Sequence, residues 1–193
     1  SAQSFRTRSE SDILNQIWEL KALFNRNLEN YNGLFLGNHD ALEAGEELIL
    51  TTVYRAFDEF GFKTHAITPS LFMFGSVHSF LKAKPRLFEE FNTLPFSTYI
   101  NIGLESVDKP TLEYIGKPVS ESEVREAFMK MVDINNTFKK IDVTANFVIG
   151  KELSSVHYES IKELLGDAQC SSHDKGAIYL SPLKDSPKKR ELL

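Results

Sequence analysis

A single cysteine, Cys170, is all the thiol the chain has, which excludes an internal disulfide and any metal site built from three or four cysteines of its own. Long apolar runs are missing too. None approaches the roughly eighteen residues a membrane span needs, and no signal-peptide pattern opens the chain, so a soluble protein of the cytoplasm is expected. An excess of positive charge is likewise absent: 22 Lys and Arg stand against 27 Asp and Glu, for a net charge of −5. No basic stripe interleaved with aromatics accompanies them, so nucleic acid is not the expected partner. The chain also lacks an H-E-x-x-H motif, a P-loop and any near-identical repeat, and no Ser-His-Asp order supports a barrel hydrolase.

What is present is bulky and alternating. A chain of 193 residues fits one domain, and its 15 Phe supply apolar surface for helices packed on a sheet. The central stretch is Tyr99 to Ser106, where a period of two puts Ile100, Ile102 and Leu104 on one face and Tyr99, Asn101, Gly103 and Glu105 on the other. Ile141 to Gly150 divides in the same way, with Asp142, Thr144 and Asn146 on its polar side. Further strands are expected at Leu34 to Gly37, a buried apolar run, at Lys63 to Thr68, closed by Pro69, and at Ala177 to Ser181. Helices are expected between them. Ser9 with Asp12 and Ser120 with Glu123 form capping boxes, Gly61 ends the helix that contains Val53 and Phe57, and Pro85 opens the second of two short helices within Ser70 to Pro95. The stretch holding Pro110, Gly116 and Pro118 is expected to be a loop, and Lys184 to Leu193 a frayed tail.

Strand and helix in alternation argue for a parallel sheet with right-handed crossovers, and polar inner faces argue for a partial (β/α) barrel of about five strands with outer helices. A flat, doubly wound sheet is the open alternative. In either fold a ligand sits at the carboxyl ends of the strands. The candidate residues are therefore Gly37, Asn38, His39 and Asp40, then Thr68, Glu105 with Ser106, Asn146 with Gly150, and Ser181.

In their order these residues resemble the radical S-adenosylmethionine superfamily, in the branch of Fe-S oxidoreductases similar to oxygen-independent coproporphyrinogen oxidases. Phe35-Leu36-Gly37-Asn38-His39-Asp40-Ala41-Leu42 resembles the family's second-strand segment, whose glycine and acid hold the methionyl amine, although the family has paired glycines and a glutamate there. Ile102-Gly103-Leu104-Glu105-Ser106, followed by Ile115-Gly116-Lys117, resembles the fourth-strand segment whose acid binds the ribose hydroxyls. Phe147-Val148-Ile149-Gly150 resembles the fifth-strand backbone near the adenine. The resemblance implies S-adenosylmethionine as cofactor, held by Gly37, Asn38, Asp40, Glu105, Ser106, Lys117, Asn146 and Gly150, with Lys117 meeting the methionyl carboxylate.

The family's C-x-x-x-C-x-x-C motif is absent. Without it no 4Fe-4S cluster can be held, so the resemblance implies a piece of a longer radical enzyme whose cysteines and first strand lie before Ser1, or else a cluster-free binding or regulatory module on the same barrel. Loss of the first strand would leave Leu34 to Gly37 as an edge guarded by neither charge nor proline. Either the Ser1 to Arg8 segment or a second copy of the chain is expected to cover it. The substrate cannot be read from the sequence.

Overall fold

The computed structural model describes residues 6–62, 67–167 and 175–183. The expected tail at Lys184 to Leu193 and the residues Cys170, His173 and Asp174 lie outside the described residues. Five parallel strands form one sheet in the order β1-β2-β3-β4-β5: Gly33–Leu36, Ser70–Gly75, Ser97–Glu105, Ile141–Ile149 and Ile178–Pro182. Every step moves to the next strand in the same direction. Right-handed crossovers then put the helices on one face, as in a segment of a (β/α) barrel, whereas a doubly wound sheet would reverse direction part-way.

The helices are α1 (Glu10–Phe24), α2 (Glu46–Glu59), α3 (Val77–Lys82), α4 (Pro85–Thr93), α5 (Lys109–Tyr114), α6 (Glu121–Thr137) and α7 (Ser155–Asp167), with 3-10 turns at Asn25–Asn30 and Ala41–Ala44. Both capping boxes form: the Ser9 hydroxyl accepts from the Asp12 amide and the Ser120 hydroxyl from the Glu123 amide. Gly61 takes a left-handed φ of 74° beyond α2, and Pro85 is the first residue of α4. These helices bury Phe80, Phe88, Phe91, Phe96 and Phe128 against Leu71, Met73, Ile100, Ile102, Leu104, Val143 and Phe147 of the sheet. Each such side chain contributes about 1.5–3 kcal/mol by leaving water. No helix of the described residues is long and apolar enough to cross a membrane.

Lysines tie down the ends of the helices. The Lys130 ammonium, reaching across from α6, donates to the carbonyls of Phe80, Leu81 and Ala83 at 2.8, 3.2 and 2.7 Å. Lys140 donates to Leu94 at 2.9 Å and Lys175 to Phe138 at 2.6 Å, so the carbonyls where α3, α4 and α6 end all meet a cation. Cations suit this place because a helix leaves its last carbonyls unpaired and carries negative potential there.

Four expectations are corrected. The second strand is Ser70–Gly75 rather than Lys63 to Thr68: residues 67–69 form no strand, and residues 63–66 lie outside the described residues. In Leu71-Phe72-Met73-Phe74 both faces are apolar, so a period of two is invisible. Pro69 precedes this strand, its carbonyl accepting the Ser97 amide at 2.9 Å. Leu34 to Gly37 is not buried, with Leu34 and Leu36 half-buried and Phe35 53% exposed, although its place at an edge of the described sheet is the expected one. The expected loop contains α5, which Asp108 caps by accepting from the Thr111 amide and hydroxyl at 3.0 and 2.6 Å. Finally, the face away from the helices is only partly polar, because Phe35, Phe72, Phe74 and Tyr99 lie on it.

Candidate functional site

One of two non-glycine residues with positive φ among the described residues lies where β3 ends. Glu105 has φ of 65°, a left-handed conformation rare for a residue with a side chain, and the register between β3 and β4 shifts between Gly103 and Glu105. The Ser106 amide donates to the Leu104 carbonyl at 2.8 Å, closing a three-residue turn around Glu105. A conformation of this kind costs about 1–3 kcal/mol and persists where the surroundings impose it.

Those surroundings are buried and polar. His157 on α7 is 0% exposed and joins two elements: Nε2 lies 2.9 Å from the Val148 carbonyl, so it carries the proton, and Nδ1 accepts from the Ser106 hydroxyl at 2.8 Å. The Ser106 oxygen in turn accepts the Asp108 amide at 2.9 Å. The segment after Glu105 is thereby fastened to α7, to β4 and to the start of α5. Ser106 is itself 0% exposed, so this candidate is a buried anchor rather than a surface contact for a ligand.

The Glu105 side chain folds back over Gly103. A Cβ at position 103 would lie 2.8 Å from Glu105 Oε1 and 3.5 Å from Lys117 Nζ, so the glycine makes room for the acid itself. Lys117 Nζ stands 3.0 Å from Oε1. Its position follows from the end of α5, where Gly116 has φ of 71° and donates to the Glu113 carbonyl at 3.1 Å while the Lys117 amide donates to Leu112 at 2.9 Å. That is a Schellman turn, and it carries Lys117 back to the end of β3. Oε2 of Glu105 has no partner among the described residues, which leaves an acceptor at the strand end.

The other candidates divide. Gly37 (φ of 68°), exposed Asn38 and His39, and half-buried Asp40 follow β1, two strands and about 10 Å from β3 at the usual strand spacing. A Cβ at Gly37 would meet that of Ala41 at 3.2 Å. Asp40 Oδ1 accepts the Ser79 hydroxyl at 2.6 Å, tying the loop to the capped start of α3. Thr68 is exposed in the segment before β2, at the opposite end of the sheet from Glu105. Ser181 lies in β5. Gly150 follows β4, its amide donating to the Tyr158 hydroxyl at 3.1 Å and its carbonyl accepting from that hydroxyl at 2.8 Å. It lines an open groove of about 600 Å³ with Glu152, Leu153 and Pro182. Asn146 points to the bare face and pairs with Asn101: its Nδ2 donates to Asn101 Oδ1 at 2.8 Å, while Asn101 Nδ2 donates to Thr144 Oγ1 at 2.8 Å.

The structure thus gathers Glu105 and Lys117, keeps Gly150 and the Gly37 loop on the same rim, and sets Thr68 apart. His157 went unnoticed in the sequence, as nothing local links it to Ser106 51 residues away. Among the described residues no group of three or more His, Cys, Asp or Glu side chains could hold a metal ion. Compared with protein-family models and with curated proteins, the chain matches none.

Proposed function

We propose that the chain is part of the core of a radical S-adenosylmethionine enzyme and that the rim of the sheet binds this cofactor. The observation that supports the reading is Glu105: a carboxylate in a strained turn at the carboxyl end of the central strand, with one oxygen on Lys117 and one without a partner among the described residues. A ribose diol needs an acceptor fixed in place, and strain maintained by a buried anchor is a recurrent mark of ligand sites. Gly37, Asn38 and Asp40 would face the methionyl end, and the Gly150 groove the adenine. Lys117 serves the methionyl carboxylate in this reading.

A 4Fe-4S cluster does not fit the residues present, since Cys170 is the only thiol of the 193 residues. Any radical chemistry therefore needs thiolates from beyond this sequence, and a cytoplasmic parent suits such reduced thiols. The same single thiol favours the second reading, a module that binds the nucleotide without radical chemistry. Three cysteines spaced C-x-x-x-C-x-x-C upstream of Ser4 in the parent gene would decide for the enzyme. Calorimetric titration with S-adenosylmethionine tests what both readings share. The intact chain should bind it, and Glu105→Gln should weaken binding by about 1.5–3 kcal/mol. Unchanged affinity removes Glu105 from the site, and no binding by the unaltered chain removes both readings.

A further inference from the structure

The face of the sheet away from the helices carries a second constellation, which adjoins the first where Asn146 stands in register with Gly103. Asn101 and Asn146 form a reciprocal amide pair, 2.8 Å in one direction and 3.4 Å in the other, beside the Thr144 hydroxyl. Aromatic rings bracket it in register. Phe74 of β2 stands opposite Asn101, and Tyr179 of β5 stands opposite Asn146. Both rings are substantially exposed, at 36% and 53%. Phe74 is held edge-on to Phe35 at 5.3 Å, and one row down Phe72 stacks on Tyr99 at 5.1 Å with 17° between the rings.

A count of hydrogen bonds shows what the pair still offers. Among the described residues Asn101 has given both amide protons, but Asn101 Oδ1 and Asn146 Oδ1 each keep a lone pair and Asn146 Nδ2 keeps a proton, while Thr144 is buried beneath them. The remaining groups are thus donors and acceptors side by side, all uncharged. Of the ionised groups on this face, Asp142 accepts the Gly176 amide through Oδ1 at 2.8 Å, and Glu105 meets Lys117 through Oε1.

We infer that this face binds a neutral, planar heterocycle with a lactam-type edge, which stacks against Phe74 or Tyr179 and presents its N–H and C=O to the Asn101–Asn146 pair. Flat rings with adjacent donor and acceptor are the ligands that combine aromatic stacking with neutral edge recognition. A purely apolar ligand would leave the remaining amide donor and acceptors without partners, whereas a neutral N–H and C=O edge meets them. The inference goes beyond the cofactor reading, with which it shares Asn146, and the ligand it names is not S-adenosylmethionine, so the two readings fail separately.

The test is a nuclear magnetic resonance titration of the intact chain with hypoxanthine, with no S-adenosylmethionine present and 1-methylhypoxanthine as control, because the methyl group blocks the lactam N–H. Hypoxanthine should shift the side-chain amide signals of Asn101 and Asn146, with a dissociation constant near millimolar, as for a fragment-sized ligand. The methylated ring and Asn146→Leu should each weaken binding about five- to tenfold. Phe74→Leu, which keeps apolar bulk but loses the flat ring, should weaken it about threefold and serves if Asn146→Leu does not fold. Equal binding of the methylated ring, or shifts that leave both amides untouched, overturns the inference. So does a stable dimer broken by Phe74→Leu with hypoxanthine inert, which would give the face to a second copy of the chain.

Discussion

Successive residues of β3 live in opposite surroundings. Ile100, Ile102 and Leu104 are at most 1% exposed beneath the helices, whereas Tyr99 is 37% exposed and Asn101 only half-buried on the other side. The same division crosses the sheet, since Met73 is buried beside exposed Phe72 and Phe74. One face is therefore a core in the ordinary sense, close-packed and costly to alter. The other carries aromatic rings that stay more than a third exposed and amides that are half-buried.

The largest expected effect tests the division directly. Ile100→Ala should destabilise the chain by about 2–5 kcal/mol in urea denaturation, while its neighbour Tyr99→Ala should cost about 0.5–1.5 kcal/mol, chiefly the stack on Phe72. Equal costs would break the comparison, because Tyr99 would then have to be buried in solution. Next is the anchor between the two faces. Ser106→Ala leaves His157 Nδ1 and the Asp108 amide unpaired in the interior, and should cost about 1–3 kcal/mol by the same measurement.

Glu105 separates stability from binding. Glu105→Gly removes the penalty of a positive φ at the expense of a partly exposed ion pair, so the thermal midpoint should rise, by the equivalent of about 0.4–1 kcal/mol, while the proposed S-adenosylmethionine binding should be lost. A lower midpoint would mean that the turn is not strained. The unguarded edge at β1 should promote self-association, and Phe35→Lys should reduce it in sedimentation velocity. No dependence on Phe35 would remove β1 as the contact. Residues 6–8 are exposed, and no strand of the described residues pairs with the outer side of β1.

The smallest effect lies at the solvent side of the helix layer. The Ser120 hydroxyl, and then its amide, donate to Glu123 and hold its carboxyl below the usual range, with His78 adding to the effect. A carboxyl lowered on folding stabilises the chain above its unfolded value and loses that contribution as pH falls through the folded one. The unaltered chain should therefore lose more stability than Glu123→Gln as pH drops below about 4.5. Parallel pH profiles would show that the cap does not act through charge.

The parts legible in the sequence were those whose signals are local. The capping boxes, the Gly61 stop, Pro85 and the alternation of β3 and β4 each need only a few neighbouring residues, and all formed as expected. Aspartate before Lys-Pro-Thr was a usable signal for α5, but the prolines and glycine around it suggested a loop. Ser70–Gly75 was not legible because apolar residues on both faces erase the period. The candidate site was legible to the extent that strand ends are, in Glu105 and Gly150.

By itself the sequence determined that strands and helices alternate, that β3 carries an acid at its carboxyl end, and that one thiol cannot ligate a cluster. These follow from covalent order, side-chain period and composition. Only the tertiary structure decided that the strands lie in sequential order, that Ser106 is an anchor bonded to His157, that Lys117 meets Glu105 over Gly103, and that Asn101 and Asn146 pair between aromatic rings. Each of these joins residues remote in the chain, at distances of a few ångströms that packing sets and local sequence does not encode.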